Sequence, residues 1–202
     1  MKFFILSLIF QIFFNFTAFA NQNSISLEGF KDNSSGKVVF MRHALAPGFG
    51  DPANFNVLDC KTQRNLNQVG IEQSKAIGNT FKERGIKFTK IFSSFWCRCK
   101  DTAFFLKMGN FETHKALNSF FQGHVDKEDT LNELNKLIKS LNQSDGPFMM
   151  VTHYVVIQSF TGAALPSGGM AVYDLKTKKF ITLKLIISSY FLRLLLFHNL
   201  HQ

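Results

Sequence analysis

Arg42 and His43 stand directly behind the apolar run Val38, Val39, Phe40 and Met41. A run of that kind reads as a short buried strand, and open α/β sheets place their ligands at the carboxyl ends of such strands. A guanidinium beside an imidazole can handle phosphate. The arginine forks onto phosphoryl oxygens, and a neutral imidazole nitrogen can attack phosphorus. The dipeptide alone says little, but two later segments have the same form. Ile91 and Phe92 lead into the segment Ser93 to Thr102, which puts Arg98 one turn into a following helix. Met149 to Thr152 is again strand-like and runs into His153. Two arginines and two histidines arriving from separate strands would make a cationic pocket suited to a phosphate dianion.

In this order the motifs resemble the histidine phosphatase superfamily, the group that includes the cofactor-dependent phosphoglycerate mutases. The family pattern is a strand followed by Arg-His, then Ser-x-x-x-Arg-x-x-x-Thr, then a late strand ending in His. Here these are Arg42 and His43, then Ser94, Arg98 and Thr102, then His153. The likeness covers about residues 37 to 175. Leu66 to Gly70 also resembles the Leu-Thr-x-x-Gly element that opens a family helix, with Asn67 in place of the threonine cap. The resemblance implies that His43 is a nucleophile that becomes transiently phosphorylated. It implies that Arg42 and Arg98 hold the phosphoryl oxygens, that His153 donates a hydrogen bond to them, and that water later releases phosphate. No cofactor and no metal are expected. On physical grounds, two nearby guanidinium groups help keep the His43 imidazole neutral.

The chain departs from the family in places. Ala44 replaces the usual glycine after Arg-His, and a proline often found near Trp96 is absent, with Phe95 in the vicinity. The usual general acid is also missing. Asn118 occupies the position where many members carry glutamate, and Tyr154 follows His153 where others carry aspartate. Asparagine cannot donate a proton to an alkoxide leaving group. Asp51 and Asp59, in the long loop after the first strand, are candidate replacements. Ser94 is read as shaping the turn before Arg98, and Thr102 as packing or bonding locally. His114, His124, His198 and His201 are assigned to surface or packing roles.

Residues 1–20 read as a signal peptide: Lys2, an apolar stretch from Phe3 to Phe16, and Ala18 to Ala20 as an A-x-A cleavage site. Residue 21 is Asn rather than Cys, which argues against a lipid anchor. The expected location is therefore periplasmic or secreted. The formal net charge of +9 is carried by scattered lysines, with no basic-and-aromatic alternation. Nucleic acid is thus not an expected partner, whereas anionic substrates are. An oxidising compartment would permit one disulfide among Cys60, Cys97 and Cys99. A bridge from Cys60 to one of the other two would tie the long loop to the helix carrying Arg98; packing thiols are the alternative. The spacing matches no structural zinc pattern.

Alternating strands and helices predict a three-layer α/β/α sandwich with a mostly parallel central sheet. Residues 21–36 read as a loose leader, 37–185 as the domain, and 186–202 as an apolar C-terminal extension. Strands are predicted at 37–41, 88–92, 114–117, 148–152, 170–175 and 180–185. Helices are predicted at about 67–82, 97–107, 127–141 and 154–162. The loop from 44 to 66 is long enough to be a lid or binding loop. The tail, interrupted by Arg193, reads as a packed helix, with peripheral membrane contact as the alternative. The expected function is hydrolysis of a phosphomonoester or related small molecule through a phosphohistidine. The competing reading is a noncatalytic phosphate-binding or envelope interaction protein. Phosphohistidine hydrolysis fits small family members but not export, and a mutase would have to retain the phosphoryl group. Neither the substrate's identity nor the oligomeric state is legible.

Overall fold

A computed structural model describes residues 24–185; the expected signal segment and the apolar tail from 186 lie outside them. One sheet of seven strands organises the chain. The strands are β1 (Ser24–Ser26), β2 (Lys37–Arg42), β3 (Lys90–Ser93), β4 (Glu112–Thr113), β5 (Phe148–Thr152), β6 (Met170–Asp174) and β7 (Phe180–Lys184). Their order is β1-β7-β6-β2-β5-β3-β4. β2, β5, β3 and β4 run parallel, whereas β6 is antiparallel to both β2 and β7.

The two faces of the sheet follow from the period-two alternation along each strand. Val39, Met41, Met149 and Val151 face one side, where α1 (Leu27–Asp32), α2 (Gln68–Glu83) and α3 (Cys97–Leu106) cover them with Phe30, Ile77, Phe81 and Leu106. Val38, Phe40, Phe148 and Met150 face the other side, under Leu134, Leu137, Val156 and Ile157 of α4 (Lys127–Ser140) and α5 (Tyr154–Thr161). This is the expected three-layer sandwich. No helix among the described residues is long and apolar enough to cross a membrane.

Local chemistry sets the helix ends. The Asn67 side chain accepts from the Gly70 N–H at 2.9 Å, which starts α2 as anticipated. Gly70 must lack a side chain because an added Cβ would overlap the Leu45 carbonyl. The loop just past His43 therefore lies directly on α2, and Gln73 Oε1 holds the Leu45 N–H there at 2.9 Å. Gly78 admits the Leu106 carbonyl in the same way, bringing α2 and α3 together.

Two segments differ from expectation. The stretch expected to be loose contains β1, which pairs in parallel with β7, and α1, capped where Ser26 Oγ accepts from the Gly29 N–H. Leu27 and Phe30 are buried against the sheet, so the fold begins before residue 37. The strand expected at 114–117 is instead β4, at 112–113, followed by a 3₁₀ turn, Lys115–Leu117. His114 Nδ1 caps that turn by accepting from the Ala116 N–H. Ala116 and Leu117 are both buried.

Candidate active site

β2 lies beside β5, and β5 beside β3, so three parallel strands release their chains side by side at one edge of the sheet. Arg42 pairs in register with Thr152, and the His43 N–H donates to the Thr152 carbonyl at 2.9 Å. Ser94 N–H continues the pattern onto the Val151 carbonyl. β2 and β3, joined through α2, leave room between them for β5. Such a crossover opens a crevice at the strand ends. Into it come Arg42, His43, Arg98 and His153, which line one cleft of about 460 Å³.

The His43 and His153 rings stand 5.6 Å apart. His43 Nδ1 lies 2.8 Å from its neighbour's carbonyl, that of Ala44, which can only accept. The proton is thus on Nδ1, and Nε2 carries a free lone pair. Burial, then the Arg98 charge, with Arg64 and Arg42 adding to it and the Ala44 carbonyl opposing, lowers the His43 pKa to about 3. The imidazole is neutral at physiological pH. Thr102 Oγ1 braces this corner by accepting from the Ala44 N–H at 3.0 Å while donating to the Arg98 carbonyl at 2.7 Å.

His153 is buried, and the same desolvation, followed by Arg98 and His43, holds its pKa well below the usual histidine range. Its Nε2 lies 2.9 Å from Ser94 Oγ, which in turn lies 3.2 Å from Asn118 Oδ1. Ser94 Oγ donates to Asn118 Oδ1, which also accepts from the Phe95 N–H at 3.0 Å. The same hydroxyl oxygen lies against His153 Nε2, so Ser94 does more than shape a turn: it ties His153 to Asn118. Cys99 Sγ also approaches Nε2, at 3.5 Å, but burial pushes this thiol up to about 12, so it packs as a neutral group.

The arginines are fixed by different means. Arg42 Nη1 donates to the Leu165 carbonyl at 2.8 Å, and its guanidinium lies over the Tyr154 ring. Arg98 forks onto Asp51, Nη1 to Oδ1 at 2.7 Å and Nη2 to Oδ2 at 3.2 Å. The Nε–H groups of both arginines are buried without a protein acceptor among the described residues, as befits donors whose acceptor comes from outside the chain.

Sequence reading missed one side chain of the cleft and gave another a different role. Arg64 lines the cleft as a third guanidinium; its Nε donates to the Gly50 carbonyl at 2.9 Å and its Nη1 to the Ala46 carbonyl. Asp51, weighed as a general acid, is the clamp on Arg98. Burial raises its pKa, but bonds from Arg98, the Arg64 N–H and Trp96 outweigh burial and leave it lowered. Asp59, the other candidate, is exposed and caps the 3₁₀ turn Cys60–Thr62. Among the described residues no carboxylate lines the cleft. Cys60 is bonded to Cys97, so the long loop is tied to the first residue of α3, immediately before Arg98. Closing 37 residues restricts the unfolded chain by about 4 kcal/mol in the loop-entropy account.

These histidines make the fold acid-sensitive. Unfolded, His43 would titrate near ~6.5; folded, it titrates near about 3. Between those values only the unfolded chain takes the proton, so stability is full above the upper value and falls as pH drops toward the lower. Going from pH 7 to pH 5 is expected to cost about 2 kcal/mol from His43 alone. His153 acts in the same direction. Urea unfolding at the two pH values measures the loss, and a His43→Asn variant should show a smaller one.

No protein-family model and no curated protein matches this chain. Solved structures do share its fold. The protein histidine phosphatase SixA complexed with tungstate is 16% identical with a TM-score of 0.51, over 75% of this chain and 96% of that one. Mycobacterial hydrolase 2 is 15% identical at 0.54, over 80% and 96%. Phosphoserine phosphatase from Entamoeba histolytica, in complex with 3-phosphoglyceric acid, is 14% identical at 0.50, over 77% and 98%. This chain thus shares its fold with these solved structures, and the likeness is one of fold.

Proposed function

We propose that this protein is a member of the histidine phosphatase superfamily that hydrolyses small phosphomonoesters through a phosphohistidine at His43. The observation that carries this reading is the His43 tautomer. The Nδ1–H is held by the Ala44 carbonyl, and a neutral Nε2 is left in a cleft lined by Arg42, Arg64 and Arg98. In the proposed reaction Nε2 attacks phosphorus, the P–O bond to the leaving group breaks, and the bonding pair departs on that oxygen. The guanidinium groups hold the equatorial oxygens as charge redistributes, and His153 donates a hydrogen bond to one of them. Water then attacks the phosphohistidine, returns His43 and releases inorganic phosphate.

Export to an oxidising compartment belongs to the same proposal. The signal-like leader supports it, and so does the Cys60–Cys97 bridge. A noncatalytic phosphate-binding role has one observation in its favour, the cleft without a carboxylic acid. A single experiment separates the two. The purified protein is given p-nitrophenyl phosphate, whose leaving group needs no proton, and the reaction is quenched in alkali, which preserves phosphohistidine. Turnover with phosphate on the peptide carrying His43 is expected. Turnover without that intermediate would refute the mechanism, and phosphate binding without turnover would establish the binding protein.

A further inference from the structure

We infer that the cleft is built for esters of aromatic alcohols, with Phe49 and Phe121 forming the subsite for the leaving group; this rests on the phosphatase reading above. Phe49 is 89% exposed and Phe121 36% exposed. Their rings meet edge to face, 5.1 Å apart at 86°, and both line the cleft that holds His43 and the arginines. Scattered surface apolar residues are ordinary. A paired set at the mouth of a cationic cleft, held in place from both sides, is not.

The loop presents Phe49 in a fixed position. It stands between Gly48 and Gly50, whose φ values of 90° and 69° suit glycine. A Cβ on Gly50 would fall within 2.8–2.9 Å of the Gln122 amide group. That amide pairs with the backbone of Asp51, accepting from its N–H at 2.7 Å and donating to its carbonyl at 3.3 Å. Gln122 is the residue after Phe121, so one side chain locks the two phenylalanine-bearing loops together. Arg64 Nε holds the Gly50 carbonyl from the other side.

The composition of the walls selects the ligand. Beyond the phosphate-binding floor the cleft continues along Leu45, Pro47 and Val155, with Tyr154 beside Arg42. Among the described residues no carboxylate or lysine lines it, so it offers no charge to a substrate amine or carboxylate apart from the arginines that take the phosphate. A flat ring laid against the two phenylalanines would gain stacking and edge contacts. The chemistry agrees with the shape. When Nε2 of His43 bonds to phosphorus, the P–O bond breaks and the pair leaves on the aryl oxygen. A phenolate needs no acid at that moment and takes its proton from water afterwards. An alkoxide would need the acid the cleft lacks.

The test compares 2-naphthyl phosphate with acetyl phosphate, whose carboxylate leaving group needs no acid and carries no ring, in wild type, Phe49→Ala and Phe121→Ala. Each substrate is compared with itself across variants, so the intrinsic ease of cleavage cancels. Phe49→Ala is expected to lower kcat/KM for the naphthyl ester about tenfold more than for acetyl phosphate, chiefly through KM. Equal losses on both substrates would overturn the inference. Should neither turn over, the phosphatase reading fails, and calorimetry decides the subsite alone. Tighter binding of 2-naphthyl phosphate than of inorganic phosphate, abolished by Phe49→Ala, would sustain it; equal binding would end it.

Discussion

His43→Asn is expected to reduce turnover of p-nitrophenyl phosphate by roughly 10⁴-fold or more. Asparagine suits the test because its side-chain amide can still donate to the Ala44 carbonyl, the bond His43 Nδ1 makes at 2.8 Å. The lone pair that would attack phosphorus is the group removed. Arg42, Arg64 and Arg98 remain, so the affinity for inorganic phosphate, measured by calorimetry, should persist within a few-fold. Loss of turnover with retained phosphate binding separates a nucleophile from an anion-binding side chain. Unchanged turnover would move the chemistry away from His43, and loss of both properties would make the residue structural. The leaving group matters here: p-nitrophenolate departs without a proton, so the assay does not depend on an acid.

The elements that bring His43 forward were the most legible in the sequence, for a physical reason. β2 and β5 carry short apolar runs buried on both faces, with Arg42 closing the first and His153 directly following the second. The Asn67 cap and the helix C-terminus before Gly85, where φ is 68°, are signals carried by single residues. β1 was illegible because a Ser-Ile-Ser edge strand has one apolar residue, and its partner β7 lies at the far end of the described chain. The 3₁₀ turn after β4 was hidden because His114 caps it through a ring nitrogen, a role that composition does not announce.

The site divides in the same way. Arg42, His43, Arg98 and His153 could be placed because strand ends in a parallel sheet converge, a rule of topology. Arg64 and Asp51 sit in the loop between 44 and 66, and no periodicity assigns positions there. Nothing in their spacing connects Asp51 with Arg98 or Trp96; only the folded loop does. The disulfide shows the same limit, because three cysteines state that a bridge can form and the fold selects Cys97 over Cys99.

Asp51→Asn is expected to destabilise the protein by about 3–5 kcal/mol, because it leaves a buried guanidinium without its countercharge. The Arg98–Asp51 pair is almost wholly shielded from solvent, and both Nη groups of Arg98 bond to the carboxylate. The same carboxylate accepts from Trp96 Nε1 at 3.0 Å and from the Arg64 N–H at 3.0 Å. Removing its charge therefore weakens the helix, the long loop and the cleft wall together. The damage should follow the orphaned charge rather than the missing carboxylate. Adding Arg98→Met to Asp51→Asn should thus recover a large part of the loss, since an apolar side chain leaves no charge to compensate. Chemical denaturation of the two single variants and the double variant measures the coupling. Activity should not return with stability, because the double variant lacks a guanidinium at the phosphoryl oxygens. A double variant no more stable than Asp51→Asn would instead show that Asp51 matters through Trp96 and the loop. Stability and chemistry thus share Arg98, and the carboxylate that pairs with it in the interior also aims it into the cleft.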